Sequence, residues 1–361
     1  MESSTRGGTD MAGLLVGPEA EIGTVLKLMD ESGRRIMFIV DAASRLLGVA
    51  TDGDIRRWII DGKSLHGAIA DAMNHEPIVV REVDSRERAK ELMIARKVDC
   101  VPVVSDAGTI VSAVWWVDLF DGEIEIEREQ LGVPVVIMAG GEGARLAPYT
   151  RVLPKPLIPV GDVPIVELII EKFVAYGCRD VYLSVNYKAN LIKAYFRDVT
   201  CDYDVKFVDE PKPLGTAGSL SILAGEITTS FFVSNCDVII DADYADVMRF
   251  HRESGNRLTI VGSLKHFTIP YGVCETTVGG QLVGITEKPE FDHLVSTGMY
   301  VMEPGVLDDI PRDRFYHMTD LLSDYIARGV KVGVYPVSEK SWMDMGRFEE
   351  LADMRTRMGL Q

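Results

Sequence analysis

The stretch Val135-Val136-Ile137-Met138-Ala139-Gly140-Gly141-Glu142-Gly143-Ala144-Arg145 reads as a buried strand running into a glycine-rich loop. Glycines at 140, 141 and 143 let backbone N–H groups come close to an oxyanion, which is the chemistry of a phosphate cradle. It is not a Walker loop, because no Gly-Lys-Ser/Thr follows, and Leu146 stands where the dinucleotide pattern requires its last glycine. Two cations follow instead: Arg145, and Lys155 between Pro154 and Pro156. A guanidinium fork and a compact ammonium beside such a loop suit a ligand with several phosphate oxygens.

These residues need a scaffold that points strand ends at one place. From about Val133, strand-like runs alternate with helical ones: Val133 to Met138, Ile165 to Tyr176, Asp180 to Val185, Leu191 to Phe196, Val205 to Val208, Gly218 to Leu223 and Phe231 to Ser234. That alternation predicts an α/β fold with a doubly wound, mostly parallel mixed sheet, whose ligands sit at the carboxyl ends of the strands. A helix-like run, Phe348 to Met358, follows Trp342 near the end of the chain.

The first third is organised differently. An offset of 64 residues carries Met29 onto Met93, Val40 onto Val104, Leu47 onto Val111 and Asp54 onto Asp118, so helix, strand, turn, strand and acidic residue recur in order. In the first copy Ile22 to Met29 has helical spacing, Ile36 to Val40 and Leu46 to Ala50 read as strands, and a helix runs from Asp54 through Ile60. The expected organisation is a tail at 1–13, a repeated α+β pair at 14–66 and 67–122, an acidic linker at 123–132 and the second domain at 133–361.

Composition narrows the partners. With 38 basic against 55 acidic side chains the 361-residue chain carries a net charge of −17, which argues against nucleic acid and anionic lipid as ligands. A polar amino terminus and no long apolar run predict a cytoplasmic protein that does not enter membranes. Five scattered cysteines without C-x-x-C spacing fit reduced thiols, and six histidines show no metal-binding spacing.

The run from Met138 through Gly161, with Pro148, Thr150, Pro154-Lys155-Pro156-Leu157 and Pro159-Val160-Gly161, closely resembles the signature of the sugar-1-phosphate nucleotidyltransferases, which have a Rossmann-like catalytic domain. The resemblance implies an enzyme of nucleotide-sugar biosynthesis that joins a nucleoside triphosphate to a sugar-1-phosphate and releases pyrophosphate. It implies a nucleotide cradle at Ala139, Gly140, Gly141 and Gly143, with Arg145 and Lys155 as the catalytic cations. Mg2+ is the implied cofactor. Asp237, in Ser234-Asn235-Cys236-Asp237, and Asp344, in Trp342-Met343-Asp344, resemble the family's metal aspartates.

The run Pro213-Leu214-Gly215-Thr216-Ala217-Gly218 resembles the family's base-recognition loop in its guanylyltransferase form, so Gly215, Thr216 and Ala217 are expected on the nucleotide and GTP is the expected donor; the other bases stay open. Segments resembling those around the bound sugar phosphate place Gly272, Glu287, Lys288, Thr297 and Gly298 in that pocket, with Asn186 either lining it or turning the chain. The amino-terminal repeat resembles a tandem pair of CBS domains, most clearly at Gly48-Val49-Ala50-Thr51-Asp52-Gly53-Asp54.

In that family the positions of Thr51 and Asp54 contact the phosphate and ribose of an adenine nucleotide. The matching second-copy residues are Trp115 and Asp118, so one regulatory nucleotide is expected rather than two; helix capping by Thr51 and Asp54 is the alternative. A CBS pair fused to a guanylyltransferase resembles enzymes that activate amino sugars such as glucosamine-1-phosphate, as in the legionaminic acid route, and implies a homo-oligomer. A nucleotide-sensing protein that has lost turnover is the competing functional expectation.

Overall fold

The computed structural model describes residues 11–84, 86–96, 98–115, 128–199, 201–346 and 354. The chain divides into two units, residues 1–127 and 128–361.

In the first unit β1 (Leu15–Val16), α1 (Ile22–Ser32), β2 (Ile36–Val40), β3 (Leu46–Thr51) and α2 (Asp52–Ile60) are followed by β4 (Val80–Arg81), α3 (Arg86–Arg96), β5 (Cys100–Val104) and β6 (Ile110–Trp115). The 64-residue offset maps α1 onto α3, β2 onto β5 and β3 onto β6 without remainder. Each copy forms a three-stranded sheet, parallel then antiparallel, in the orders β1-β2-β3 and β4-β5-β6. The equivalent Met29 and Met93 are both buried. Helix α2 begins two residues before the Asp54 expected to start it, because Thr51 is its N-cap. Asp118 and the helix expected around it lie outside the described residues, as do 123–127 and all but Met354 of the run from Phe348 to Met358.

From Arg128 the backbone belongs to the second unit. Leu131 N–H donates to Tyr176 O at 2.8 Å and the Arg128 guanidinium lies over the Tyr176 ring, so the largely exposed 128–132 segment is tied to the second unit. Then come β7 (Val135–Met138), β8 (Pro159–Val160), β9 (Val163–Pro164), α4 (Ile165–Val174), β10 (Asp180–Val185), α5 (Ala189–Asp198), β11 (Asp204–Asp209), the short α6 (Gly215–Gly218), β12 (Phe231–Asn235), β13 (Val238–Ile240) and α7 (Tyr244–Ser254). They are followed by β14 (Leu258–Thr268), β15 (Val273–Thr276), β16 (Leu282–Thr286), β17 (Glu290–Met302), α8 (Val306–Asp309), α9 (Met318–Ala327), β18 (Val332–Val337) and β19 (Trp342–Asp344).

The central sheet has the order β11-β10-β7-β12-β17-β14-β18. Strands β11, β10, β7 and β12 are parallel, while β17 runs antiparallel to both β12 and β14. This is the mixed, largely parallel α/β sheet expected from the alternation of elements. Strand β7 reads as a continuous apolar run because both of its faces are covered. Val135 and Ile137 enter a core with Phe173 and Phe232, and Val136 enters one on the other face with Phe231, Val233 and Leu220.

From β7 the chain steps outward to β10 and β11, then returns to the opposite side of β7 as β12. Strand order therefore reverses beside β7, and a crevice opens at the carboxyl ends of β7 and β12, where ligands of open α/β sheets bind. Phe232 of β12 packs on Phe173 and Tyr244, with ring centroids 5.3 and 5.8 Å away. Phe232→Ala is expected to destabilise the second unit by about 3–5 kcal/mol, read from its urea unfolding transition.

Candidate functional site

The crevice is a cavity of about 470 Å3. It is walled by the loop after β7 (Gly140, Gly141, Gly143, Arg145), the loop after β11 (Glu210, Leu214, Gly215, Thr216), the loop after β12 (Asn235, Cys236, Asp237) and Lys155. Four separate stretches of sequence thus meet at one strand-end cluster.

Local geometry explains their residue types. Gly143 has φ +64°, and a Cβ there would lie 2.9 Å from Thr150 Cγ2 and 3.1 Å from Lys155 Cβ. The glycine loop therefore packs directly on the segment that carries Lys155. Gly215 has φ +81°, and a Cβ would meet the Tyr316 carbonyl oxygen at 2.6 Å. That carbonyl accepts from Ala217 N–H at 3.1 Å and Gly218 N–H at 3.0 Å, so the glycine-rich turn wraps backbone around backbone.

Lys155 and Asp237 form a buried ion pair, each side chain 11% exposed. Asp344 approaches the same strand end. Strand β19 runs antiparallel to β13 with Asp344 opposite Val238, and Met345 N–H donates to Asp237 O at 2.8 Å, so Asp344 pairs with the residue that follows Asp237. Gly346 lines the cavity. Among the described residues no group of three or more His, Cys, Asp or Glu is arranged for a metal. Magnesium often takes one or two protein carboxylates and completes its shell with phosphate oxygens and water, so a two-aspartate donor set suits it.

Several other expected site residues have polar groups engaged by backbone. The Ala139 N–H is spent on Ser184 O at 2.8 Å and the residue is fully buried, so its backbone donor faces the sheet, not a phosphate. Ala217 is buried in a core, and the Thr216 hydroxyl accepts from Met318 N–H at 2.9 Å at the start of α9. Asn186 donates from Nδ2 to Glu210 O at 2.8 Å. Gly272 and Glu287 meet at the base of the β15–β16 hairpin, where a Gly272 Cβ would lie 3.0 Å from Glu287 Oε2, and Lys288 adopts φ +45° beside them.

Thr297 is buried and its hydroxyl donates to Val261 O at 2.8 Å, at the register shift between β14 and β17. Gly298, at φ +89°, reaches the cavity indirectly, since the wall residue Asn235 packs against its α-carbon. In the first unit Thr51 and Asp54 complete a capping box on α2: Thr51 N–H donates to Asp54 Oδ2 at 2.8 Å and Asp54 N–H to Thr51 Oγ1 at 3.2 Å.

Sequence reasoning missed Glu210. Its carboxylate accepts from Ser184 Oγ at 2.7 Å and from Leu214 N–H at 3.3 Å, and Oε1 fills the space that a Gly140 Cβ would occupy. Its position just beyond the carboxyl end of β11 was the available signal.

Residues 134–359 match the family model described as nucleotidyl transferase, and residues 14–61 and 69–114 match the CBS domain. A UTP–glucose-1-phosphate uridylyltransferase from Synechocystis is 32% identical over 235 residues, covering 59% of this chain and 60% of that one. A mannose-1-phosphate guanyltransferase from Yarrowia lipolytica is 37% identical over 182 residues, covering 48% of this chain and 50% of that one. The chain spans about half to three fifths of the length of the curated relatives it matches. The solved structure of HddC from Yersinia pseudotuberculosis complexed with GMP-PN is 23% identical, with a TM-score of 0.48, covering 63% of this chain and 99% of that one.

Cys236 forms part of the wall next to Asp237, and burial pushes its thiol up to about 12; Cys178 is raised to about 12 for the same reason. The reactive thiolate then appears only as pH approaches 12. On native protein at pH 8, iodoacetamide is expected to label the exposed Cys274 and leave Cys236 and Cys178 unmodified, as read by peptide mass spectrometry.

Proposed function

The chain belongs to the nucleotidyl transferase family, with two CBS domains preceding the transferase unit, and we propose that it transfers a nucleoside monophosphate unit from a nucleoside triphosphate to a sugar-1-phosphate. The observation that carries this reading is the convergence of the glycine loop, Lys155, Asp237 and the Leu214–Thr216 loop on one cavity. A phosphate oxygen of the sugar-1-phosphate attacks the α-phosphorus and forms a P–O bond. The bond from that phosphorus to the bridging oxygen breaks, and pyrophosphate leaves with the electron pair.

Such a transfer needs little covalent chemistry from the protein, so positioning and charge neutralisation supply most of the catalysis. Gly140, Gly141 and Gly143 open the loop to phosphate oxygens, and the exposed Arg145 guanidinium holds the departing pyrophosphate. Lys155, which lines the cavity, serves the α-phosphate as a compact point charge. Asp237 and Asp344 would hold Mg2+, which supplies charge neutralisation on the triphosphate when bound. Gly272, Glu287, Lys288 and Gly298 are assigned to the sugar side.

Two features support guanine as the base. The Leu214-Gly215-Thr216-Ala217-Gly218 loop has the guanylyltransferase form, and a relative 37% identical is named a mannose-1-phosphate guanyltransferase. Glu210 adds a chemical reason. A carboxylate in that wall can accept from both the N1–H and the 2-amino group of guanine, whereas uracil and thymine offer one ring N–H on the corresponding edge. The five free cysteines suit the reducing cytoplasm, which we propose as the compartment.

The reading is tested with a panel of triphosphates against sugar-1-phosphates, following pyrophosphate release; no product from any pair overturns it in favour of a nucleotide sensor without turnover. Asp237→Asn is expected to reduce turnover at least about a hundredfold while the protein stays folded by circular dichroism. Glu210→Gln is expected to lower the preference for GTP over UTP, in kcat/KM, by about tenfold or more; an unchanged ratio removes Glu210 from base selection.

A further inference from the structure

Beyond the cavity wall, the corner Asn186-Tyr187-Lys188 at the end of β10 touches three of the loops that build the site. Asn186 Nδ2 donates to Glu210 O at 2.8 Å, which fixes the start of the base loop. Tyr187 N–H donates to Gly140 O at 3.3 Å, which fixes the glycine loop. The Tyr187 hydroxyl donates to Thr150 O at 3.3 Å. The Lys188 ammonium donates to three successive carbonyls, Thr150 O at 3.3 Å, Val152 O at 2.9 Å and Arg151 O between them.

Those three carbonyls lie in the segment between Gly143 and Lys155. Thr150 is itself 97% buried against the glycine loop, so a shift of this segment moves both Gly143 and Lys155. Lys188 holds its place with φ +51°, a left-handed conformation that costs a non-glycine residue about 1 kcal/mol or more. The turn itself needs no lysine there, and glycine would adopt that backbone more easily. A strained lysine whose ammonium is saturated by backbone carbonyls of a neighbouring loop is accounted for by what it holds.

We propose that Lys188 is a positioning residue: its ammonium ties the 150–152 carbonyls to the end of β10 and so sets the distance between the glycine loop and Lys155. This rests on the transferase reading for its consequence in catalysis but not for its structural content. Lys188 is not among the residues that line the cavity. Its effect reaches the reacting phosphate only through the loop, and a misplacement of about 1 Å in such a loop costs on the order of a hundredfold in rate.

The test uses the full chain and the variants Lys188→Met, Lys188→Gly and Lys188→Arg, with hydrogen exchange and steady-state kinetics in parallel. In Lys188→Met the amides of residues 149–157 are expected to exchange about tenfold faster or more, with kcat down about 10- to 100-fold and KM for the triphosphate within about threefold. Lys188→Arg, which keeps a cationic donor, is expected to restore most of both. Lys188→Gly relieves the backbone strain but removes the ammonium, so it is expected to match Lys188→Met.

Unchanged loop exchange in Lys188→Met overturns the proposal, as does recovery of kcat in Lys188→Gly, which would trace the effect to backbone conformation. A fall in kcat that only follows a fall in folded fraction overturns it too. If wild-type protein turns over no substrate pair while the loop of Lys188→Met exchanges faster, the transferase reading fails and the tether stands.

Discussion

The ion pair between Lys155 and Asp237 is the contact that the rest of the site is built around. It joins positions 82 residues apart, and each partner is almost fully enclosed. Withdrawing two charges from water costs several kcal/mol per ion, a cost met only when each ion finds the other in good geometry. The neighbouring structure supplies that geometry. Pro154 and Pro156 restrict the backbone around the 3-10 turn Lys155–Leu157, which is buried throughout, and Asp237 sits just beyond β12, a strand covered on both faces. Removing either partner leaves a buried charge without its counterion, so the pair constrains both segments.

That constraint spreads outward through close packing. Gly143 is a glycine because Thr150 and the Lys155 side chain fill the space where its Cβ would stand. Gly140 is a glycine because Glu210 stands there. Glu210 in turn accepts from Leu214 N–H, at the entry to the turn that closes around Tyr316 O. The glycines therefore do two things at once. They open backbone N–H groups to a ligand and let neighbouring loops pack without an intervening side chain. On the proposed reading, an entering triphosphate offers Lys155 a second anion, and a cavity whose cation is already seated loses little rotamer freedom in engaging it.

Much of this was legible in the sequence, for identifiable reasons. The 64-residue repeat was visible because each copy buries the same methionine of its helix and sets its helix and two of its strands at the same spacing. The Gly140–Arg145 loop was visible because a fully buried strand reads as an uninterrupted apolar run. Individual contacts were harder to read, since they depend on which backbone donors are already occupied. Ala139 lies inside the signature, yet its N–H is committed to the sheet. Thr297 belongs to a segment resembling the sugar pocket, yet its hydroxyl is committed to Val261 O across the irregular β14–β17 pairing. Glu210 went unnoticed because one carboxylate after a strand carries no spacing of its own.

The same reasoning bears on the amino-terminal repeat. Two equivalent positions, Thr51 and Trp115, have taken different work. Thr51 and Asp54 satisfy each other's backbone donors at the start of α2, and the Arg57 side chain pairs with the remaining Asp54 oxygen. Trp115 is buried, its ring edge-on to Phe38 with centroids 6.4 Å apart and the Arg34 guanidinium 4.1 Å above it. The first position is thus a helix cap and the second a packed core residue. An adenine nucleotide at Thr51 and Asp54 must share hydrogen-bonding groups that α2 already uses. A capping box is worth about 1 kcal/mol, so any regulatory ligand there must offer those groups contacts at least as favourable as the ones it shares.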